Sequence, residues 1–133
     1  MSLAKFEVAA SPNADGTAVG GHPEHALEGV ELTTGSLGHG LSVGAGMALA
    51  GRLHGRGARV FVLISDAECN EGSIWEAAMF AAHHELSNLV VLVDSNGQQA
   101  LGATREVLDL QPLAERWRAF GWNALELEGH EPD

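Results

Sequence analysis

The sequence predicts an α/β fold, a doubly wound parallel sheet, and three observations point there. Two unbroken β-branched runs, residues 59–64 and Leu89–Asp94, read as central strands covered on both faces. The stretch between them, 72–86, is helical in pattern, so strand, helix and strand form one right-handed crossover. A further helix and strand continue the β-α-β-α-β order of such sheets.

Each element has a local reason. Residues 11–29 are rich in Pro, Gly, Asn, Asp and His and read as a loop. Residues 37–53 follow Thr33-Thr-Gly-Ser36 and carry many glycines and alanines. The glycines lower helix propensity, yet Leu41, Ala45, Ala48 and Leu49 recur at helical spacing, which predicts a buried helix ended by Gly55-Arg-Gly57. After strand 59–64, the spacing of Trp75, Ala78, Met79 and Ala82 predicts a helix from about residue 73 to 84 with that stripe in the core. Residues 96–104 are loop-like, 113–120 form a short helix after Pro112, and 123–127 read as a third strand.

Composition narrows the functional classes. The 133 residues hold 45% hydrophobic side chains, enough for one domain with a core. Seven Lys and Arg against eighteen Asp and Glu leave a net charge of −11, which argues against nucleic acid and anionic membrane partners. A phosphate ligand would need a metal or helix dipoles instead of a basic patch. The single cysteine, Cys69, excludes an internal disulfide and suits a reducing compartment. No apolar run approaches a membrane span, and the first residues show no secretory leader, so a cytoplasmic protein is expected.

Asp66 and Asn96 fall just past the ends of the two main strands, on one edge of the sheet, where open α/β sheets bind ligands. An acidic and an amide oxygen converging there suit a hard cation, Mg²⁺ or Ca²⁺. Either residue could instead cap a local turn, and both readings stand at this point. Gly38-His-Gly-Leu-Ser-Val-Gly44 imitates a dinucleotide fingerprint but follows no long strand, so close helix packing accounts for it better. The histidine clusters His22-Pro-Glu-His25 and His83-His-Glu85 lack the spacing of zinc sites. His83 and His84 fit a solvated helix end, whereas His22, in a glycine-flanked loop, could reach a cleft.

The combination of Gly21-His-Pro-Glu24, Gly29-Val-Glu-Leu-Thr-Thr-Gly-Ser-Leu-Gly-His-Gly40, Glu71-Gly72, Trp75-Glu-Ala-Ala78, Asn96-Gly97 and Trp117-Arg-Ala-Phe-Gly-Trp122 resembles the N-terminal part of transketolases. The resemblance implies the thiamine-diphosphate-binding fold, with the diphosphate held through Mg²⁺ or Ca²⁺. By that resemblance Asp66 and Asn96 are the metal-binding Asp and Asn, and Gln98 offers its backbone carbonyl to the metal. Gly35, Ser36 and Leu37 line the aminothiazole and pyrimidine region. His22 corresponds to an active-site histidine near the substrate, and Glu71 to a buried glutamate at the subunit interface, close to the cofactor.

Two departures accompany the resemblance. Where the family's cofactor motif begins Gly-Asp-Gly, this chain has Ser65-Asp66-Ala67, so Ala67 and Ser65 bring Cβ atoms toward the diphosphate and would strain a left-handed backbone. The family's pyrimidine-binding domain, whose glutamate activates the cofactor, has no counterpart within 1–133. The chain is therefore expected to be a single truncated thiamine-diphosphate-binding domain. The leading expectation is the cofactor-binding part of a transketolase-like enzyme moving two-carbon ketol units between sugar phosphates. It would form a homodimer or larger assembly, be completed by a separate pyrimidine-binding subunit, and be inactive alone. The alternative is a non-catalytic binding or scaffold module that retains the fold. A dehydrogenase-like nucleotide binder, resting on the glycine run alone, ranks below both.

Overall fold

In a computed structural model of the chain, the described residues are His22 and 32–129. The chain falls into two compact units, Met1–Ser36 and Leu37–Asp133. The second unit contains helix α1 (His39–Leu53), strand β1 (Val60–Ser65), helix α2 (Gly72–His83), strand β2 (Leu89–Asp94), the two-residue strands β3 (Gln98–Gln99) and β4 (Gly102–Ala103), and helices α3 (Thr104–Val107) and α4 (Leu113–Ala119). A short 3₁₀ turn, Ala67–Asn70, lies between β1 and α2.

β1 and β2 pair in parallel, from Val60 opposite Leu89 to Ser65 opposite Asp94, and α2 makes the crossover. The expected strand–helix–strand unit is thus present, with β1 starting and ending one residue later than its apolar run. One sheet face, carrying Val62, Ile64 and Leu89, joins a core with Leu41, Ala45 and Ala48 of α1 and Ile74, Ala77, Ala78 and Ala81 of α2. Leu113 and Trp117 of α4 close the same core. Trp117 stacks edge-on with Trp122 at 5.2 Å and tilts against Trp75 at 5.5 Å. The Trp122 indole N–H donates to the Ala78 carbonyl at 3.0 Å, so the segment just after α4 is tied to α2 with the polar edge of Trp122 satisfied.

Three expectations need correction. The strands are not covered on both faces: Phe61, Leu63 and Leu92 on the opposite face are 64%, 72% and 52% exposed, because no described element packs there. Residues 123–127 form no strand. Leu125 and Leu127 are 76% and 86% exposed, so a ladder there would order the backbone without burying its leucines. The core stripe of α2 is rotated: Ile74 is fully buried and anchors it, while Met79 is exposed and Trp75 half-buried. The C-terminus of α2 is closed by its own backbone, with Leu86 N–H donating to the Ala81 carbonyl and Glu85 N–H to the Ala82 carbonyl, each at 3.0 Å. The Arg52 guanidinium of α1 donates to the carbonyls of His84 and Glu85 just beyond.

The small-residue character of α1 has a specific cause at Gly44. A Cβ there would collide with a methyl of the buried Val62, whereas a Cβ on Gly46 meets nothing within 4 Å. Helix propensity favours alanine over glycine by about 0.8–1.0 kcal/mol at either position. Overpacking a core costs about 1–3 kcal/mol, and valine is stiff at χ1. Gly44→Ala is therefore expected to destabilise the fold and Gly46→Ala to stabilise it. Thermal unfolding of the two variants checks the opposite signs.

Candidate functional site

The site is built where the sheet ends. Val60 to Ile64 alternate between core and open face, and the Asp66 side chain arrives on the core side one residue past β1, only 4% exposed. Its backbone N–H continues the ladder by donating to the Asp94 carbonyl at 3.0 Å. One carboxylate oxygen accepts from Ala67 N–H at 2.9 Å, and the other accepts from Gly97 N–H at 3.1 Å, across to the loop after β2. The local capping reading of Asp66 is therefore correct for one oxygen. The second oxygen does what capping alone would not: it ties together the loops that follow both strands.

Asn96 stands two residues past β2. Its Oδ1 accepts from Gln98 N–H at 2.8 Å and its amide donates to the Asp94 carboxylate at 3.1 Å. Gln98 begins the small β3–β4 ladder, which folds the loop back so that Thr104 N–H donates to the Gly97 carbonyl at 2.9 Å. Gly97 turns the chain with a left-handed φ of 71°. Asp66, Asn96, Gly97, Thr104, Arg105 and Asp109 line one cleft of about 370 Å³.

Sequence reasoning misses Thr104, Arg105 and Asp109. The buried Thr104 hydroxyl has no partner in its surroundings, an arrangement that calls for a ligand or solvent. No sequence signal marks it, because it enters the cleft only through the β3–β4 turn. Arg105 is a cation at the cleft, and its pairing with Glu106 at 3.8 Å is solvent-exposed and weak.

These residues fit a metal-bound diphosphate. Among the described residues no three His, Cys, Asp or Glu side chains converge on a point. A cation here would rest on one carboxylate with neutral oxygens, the donor set that hard cations accept. Cys69 is no competing ligand or nucleophile. Burial, reinforced by the charges of Asp66 and Glu68, pushes its thiol up from 9.0 to about 12, with the Trp117 indole pulling weakly the other way, so it stays protonated at neutral pH.

The Ser65-Asp66-Ala67 departure meets no backbone penalty. Among the described residues Glu85 is the one non-glycine with a left-handed φ, so Ser65 and Ala67 keep ordinary conformations. The expected strain at these two positions is absent because Asp66, at φ −61° and ψ −33°, already starts the 3₁₀ turn. Ala67 is buried.

The remaining predicted site residues divide between the units. Leu37 is half-exposed beside the buried Gly38, at the start of α1. Glu71 is the N-terminal cap residue of α2 and is exposed in the single chain, where the resemblance implies burial at an interface. In the other unit, Gly35, Ser36 and His22 are exposed. Gly35 has φ 138°, and a Cβ on it would lie 2.9 Å from the His22 ring. Only glycine meets both conditions, so His22 rests directly on the Gly35 backbone. Two glycines of the fingerprint-like run serve packing: a Cβ at Gly38 would collide with Ser73 Oγ and meet Glu71 Cβ at 2.8 Å, and one at Gly44 would collide with Val62, whereas at Gly40 it would meet only an ordinary contact at 3.7 Å.

Comparisons with known proteins give the family. The family model for the thiamine-diphosphate-binding domain of transketolase matches residues 11–133. The chain is 47% identical over 116 residues to one subunit of the apulose-4-phosphate transketolase of Phocaeicola vulgatus, covering 87% of this chain and 41% of that protein. It is 45% identical over 105 residues to one subunit of the 6-deoxy-6-sulfo-D-fructose transketolase of a Clostridium species, covering 79% and 38%. Among solved structures, the Pichia stipitis transketolase in complex with sedoheptulose 7-phosphate superposes with a TM-score of 0.73 at 30% identity, over 80% of this chain and 17% of that one. The chain thus spans about two fifths of the length of these subunit relatives. With an α/β fold shared with transketolases and a domain model matched along most of its length, the chain belongs to the transketolase family, as part of its thiamine-diphosphate-binding domain.

Proposed function

We propose that this chain is the cofactor-binding part of a transketolase-type transferase, holding thiamine diphosphate through Mg²⁺ or Ca²⁺. The observation that carries the reading is the buried Asp66 carboxylate, which bridges the loops after two parallel strands beside Asn96 and the unpartnered Thr104 hydroxyl. Asp66, Asn96 and the Gln98 carbonyl would hold the cation, Gly35, Ser36 and Leu37 would line the aminothiazole and pyrimidine region of the cofactor, and Ala67 would lie against its diphosphate. Bound thiamine diphosphate supplies the electron sink for breaking and forming carbon–carbon bonds next to a carbonyl. His22 would orient a substrate hydroxyl and hold or pass its proton, and Glu71 would sit near the cofactor at a subunit contact.

The relatives' names support two finer proposals. Apulose-4-phosphate and 6-deoxy-6-sulfo-D-fructose transketolases act on anionic sugar derivatives, and we assign this chain to the sugar phosphate class. Several relatives are named as one subunit of an enzyme, so a separate pyrimidine-binding subunit is proposed to complete the activity. Homodimers or larger assemblies would cover exposed apolar groups such as Met47 of α1 and Leu63 of β1. A cytoplasmic setting suits the single thiol.

One observation favours the second reading, a non-catalytic module: both Asp66 oxygens already accept backbone N–H groups, as a purely structural aspartate would. Equilibrium dialysis in Mg²⁺ separates the two readings. Metal-mediated recognition of the diphosphate predicts that thiamine diphosphate is retained and thiamine is not. Equal retention of both, or of neither, supports the module.

A further inference from the structure

We propose that Glu68 is the positioning residue of the cofactor loop, acting through a reciprocal clasp with Ser65 that also holds the turn into α1. The proposal rests on the cofactor-binding reading above and extends it to residues that bind neither metal nor diphosphate. Ser65 Oγ accepts the Glu68 N–H at 3.1 Å, and Glu68 Oε1 accepts the Ser65 N–H at 3.2 Å. This is the reciprocal pairing of a capping box, set one residue ahead of the turn's Asp66 cap, with Asp66 and Ala67 enclosed between its two ends. The other carboxylate oxygen, Oε2, accepts the N–H of Gly38 at 2.9 Å, thirty residues earlier.

Gly38 is held from both sides. Its N–H goes to Glu68, and its carbonyl accepts from Ser73 Oγ at 3.1 Å. Its φ of 83° and the Glu71 and Ser73 side chains standing where a Cβ would go mean that only glycine fits here. One half-buried carboxylate therefore fixes the end of β1, the Asp66 loop and the segment beginning at Leu37. Leu37 is assigned to the organic part of the cofactor, and Asp66 to its metal. A charged acceptor on two backbone donors is among the stronger hydrogen-bonding arrangements available at this depth.

The clasp also explains Ser65. A glycine, as the family motif has here, supplies no Oγ, so the reciprocal bond to Glu68 N–H exists only because serine stands at this position. The hydroxyl expected to crowd the diphosphate is used within the loop, and it narrows the conformations open to Asp66 before any ligand arrives. Such pre-organisation lowers the ordering cost of binding.

The test uses the chain with Ser65→Gly, Glu68→Ala, Glu68→Gln and the Ser65→Gly/Glu68→Ala pair. Three readouts are taken: amide hydrogen exchange at Gly38 and Ser65 without ligand, thiamine diphosphate affinity in Mg²⁺, and melting temperature. Glu68→Ala is expected to speed exchange at both amides and to weaken affinity about tenfold, with Glu68→Gln between it and wild type. Ser65→Gly is expected to weaken affinity about threefold and to add nothing further in the Glu68→Ala background, the signature of a coupled pair.

Unchanged exchange at Gly38 in Glu68→Ala overturns the clasp. A lowered melting temperature with unchanged affinity overturns the positioning role and leaves a merely structural one. Should Glu68→Ala fail to fold, Ser65→Gly, which removes one hydroxyl, still decides through the same readouts. If the wild-type chain binds no thiamine diphosphate, the functional reading fails and positioning toward the cofactor fails with it. Exchange at Gly38 and Ser65 then reports separately whether the clasp exists.

Discussion

Asp66→Ala is expected to abolish metal-dependent thiamine diphosphate binding, a loss of about 100-fold or more, or roughly 3 kcal/mol. Asp66 is the one charged ligand among those assigned, and the chain carries a net charge of −11. Without the carboxylate to hold a cation, the diphosphate would face an acidic protein uncompensated. Asn96→Ala should weaken binding less, by about tenfold, because a neutral oxygen contributes less Coulombic attraction. The alanine at 66 also strands the N–H groups of Ala67 and Gly97. Asp66→Asn, which keeps the shape and an acceptor oxygen, therefore separates charge from structure. Calorimetric titration of the three variants, with circular dichroism to confirm folding, checks the order. Equal losses for the alanine variants at 66 and 96 would contradict the assignment of charge to Asp66.

Ketol transfer is expected to appear only when a pyrimidine-binding subunit is added to this chain. On the proposed reading, the glutamate that activates the cofactor comes from a separate pyrimidine-binding subunit. A positioned acid–base group is typically worth about 10²–10⁴-fold, so addition of the partner should raise turnover by at least about 100-fold. The chain also has few cations for a substrate's phosphate end, with seven Lys and Arg in all. A coupled assay of sugar phosphate formation, with and without the partner, makes the comparison. Turnover by the chain alone at the level of the completed pair would overturn the proposal of a split enzyme.

How much of this was legible in the sequence follows from the physics of each element. The two apolar runs and their crossover were readable because β-branched continuity and helix length are local properties, and β1, α2 and β2 appear within a residue or so of expectation. The placement of Asp66 and Asn96 at one sheet edge followed from strand ends alone. The covering of the sheet was not readable, since an apolar run shows that a strand can be buried on both faces but not that another element packs on each, and Phe61 and Leu63 are exposed. The strand expected at 123–127 failed because a strand needs a neighbouring strand to pair with, and a local apolar segment does not supply one. The α2 stripe was rotated because Ile74 and Trp75 compete for one face, and the Trp117–Trp122 cluster takes Trp75 to the side. Thr104 and the Gly38 end of the clasp join residues far apart in the chain, which no spacing rule reports. Ser65-Asp-Ala-Glu68, by contrast, carries the Ser-x-x-Glu spacing of a capping box, a signal the motif reading passed over.

Calorimetric titration of the wild-type chain with thiamine diphosphate, run once in Mg²⁺ and once with a chelator in excess, tests the central claim most directly. Saturable binding in Mg²⁺ that disappears with the chelator is the predicted result. The same affinity in both conditions, or no binding in either, would contradict a metal-held diphosphate at Asp66 and Asn96.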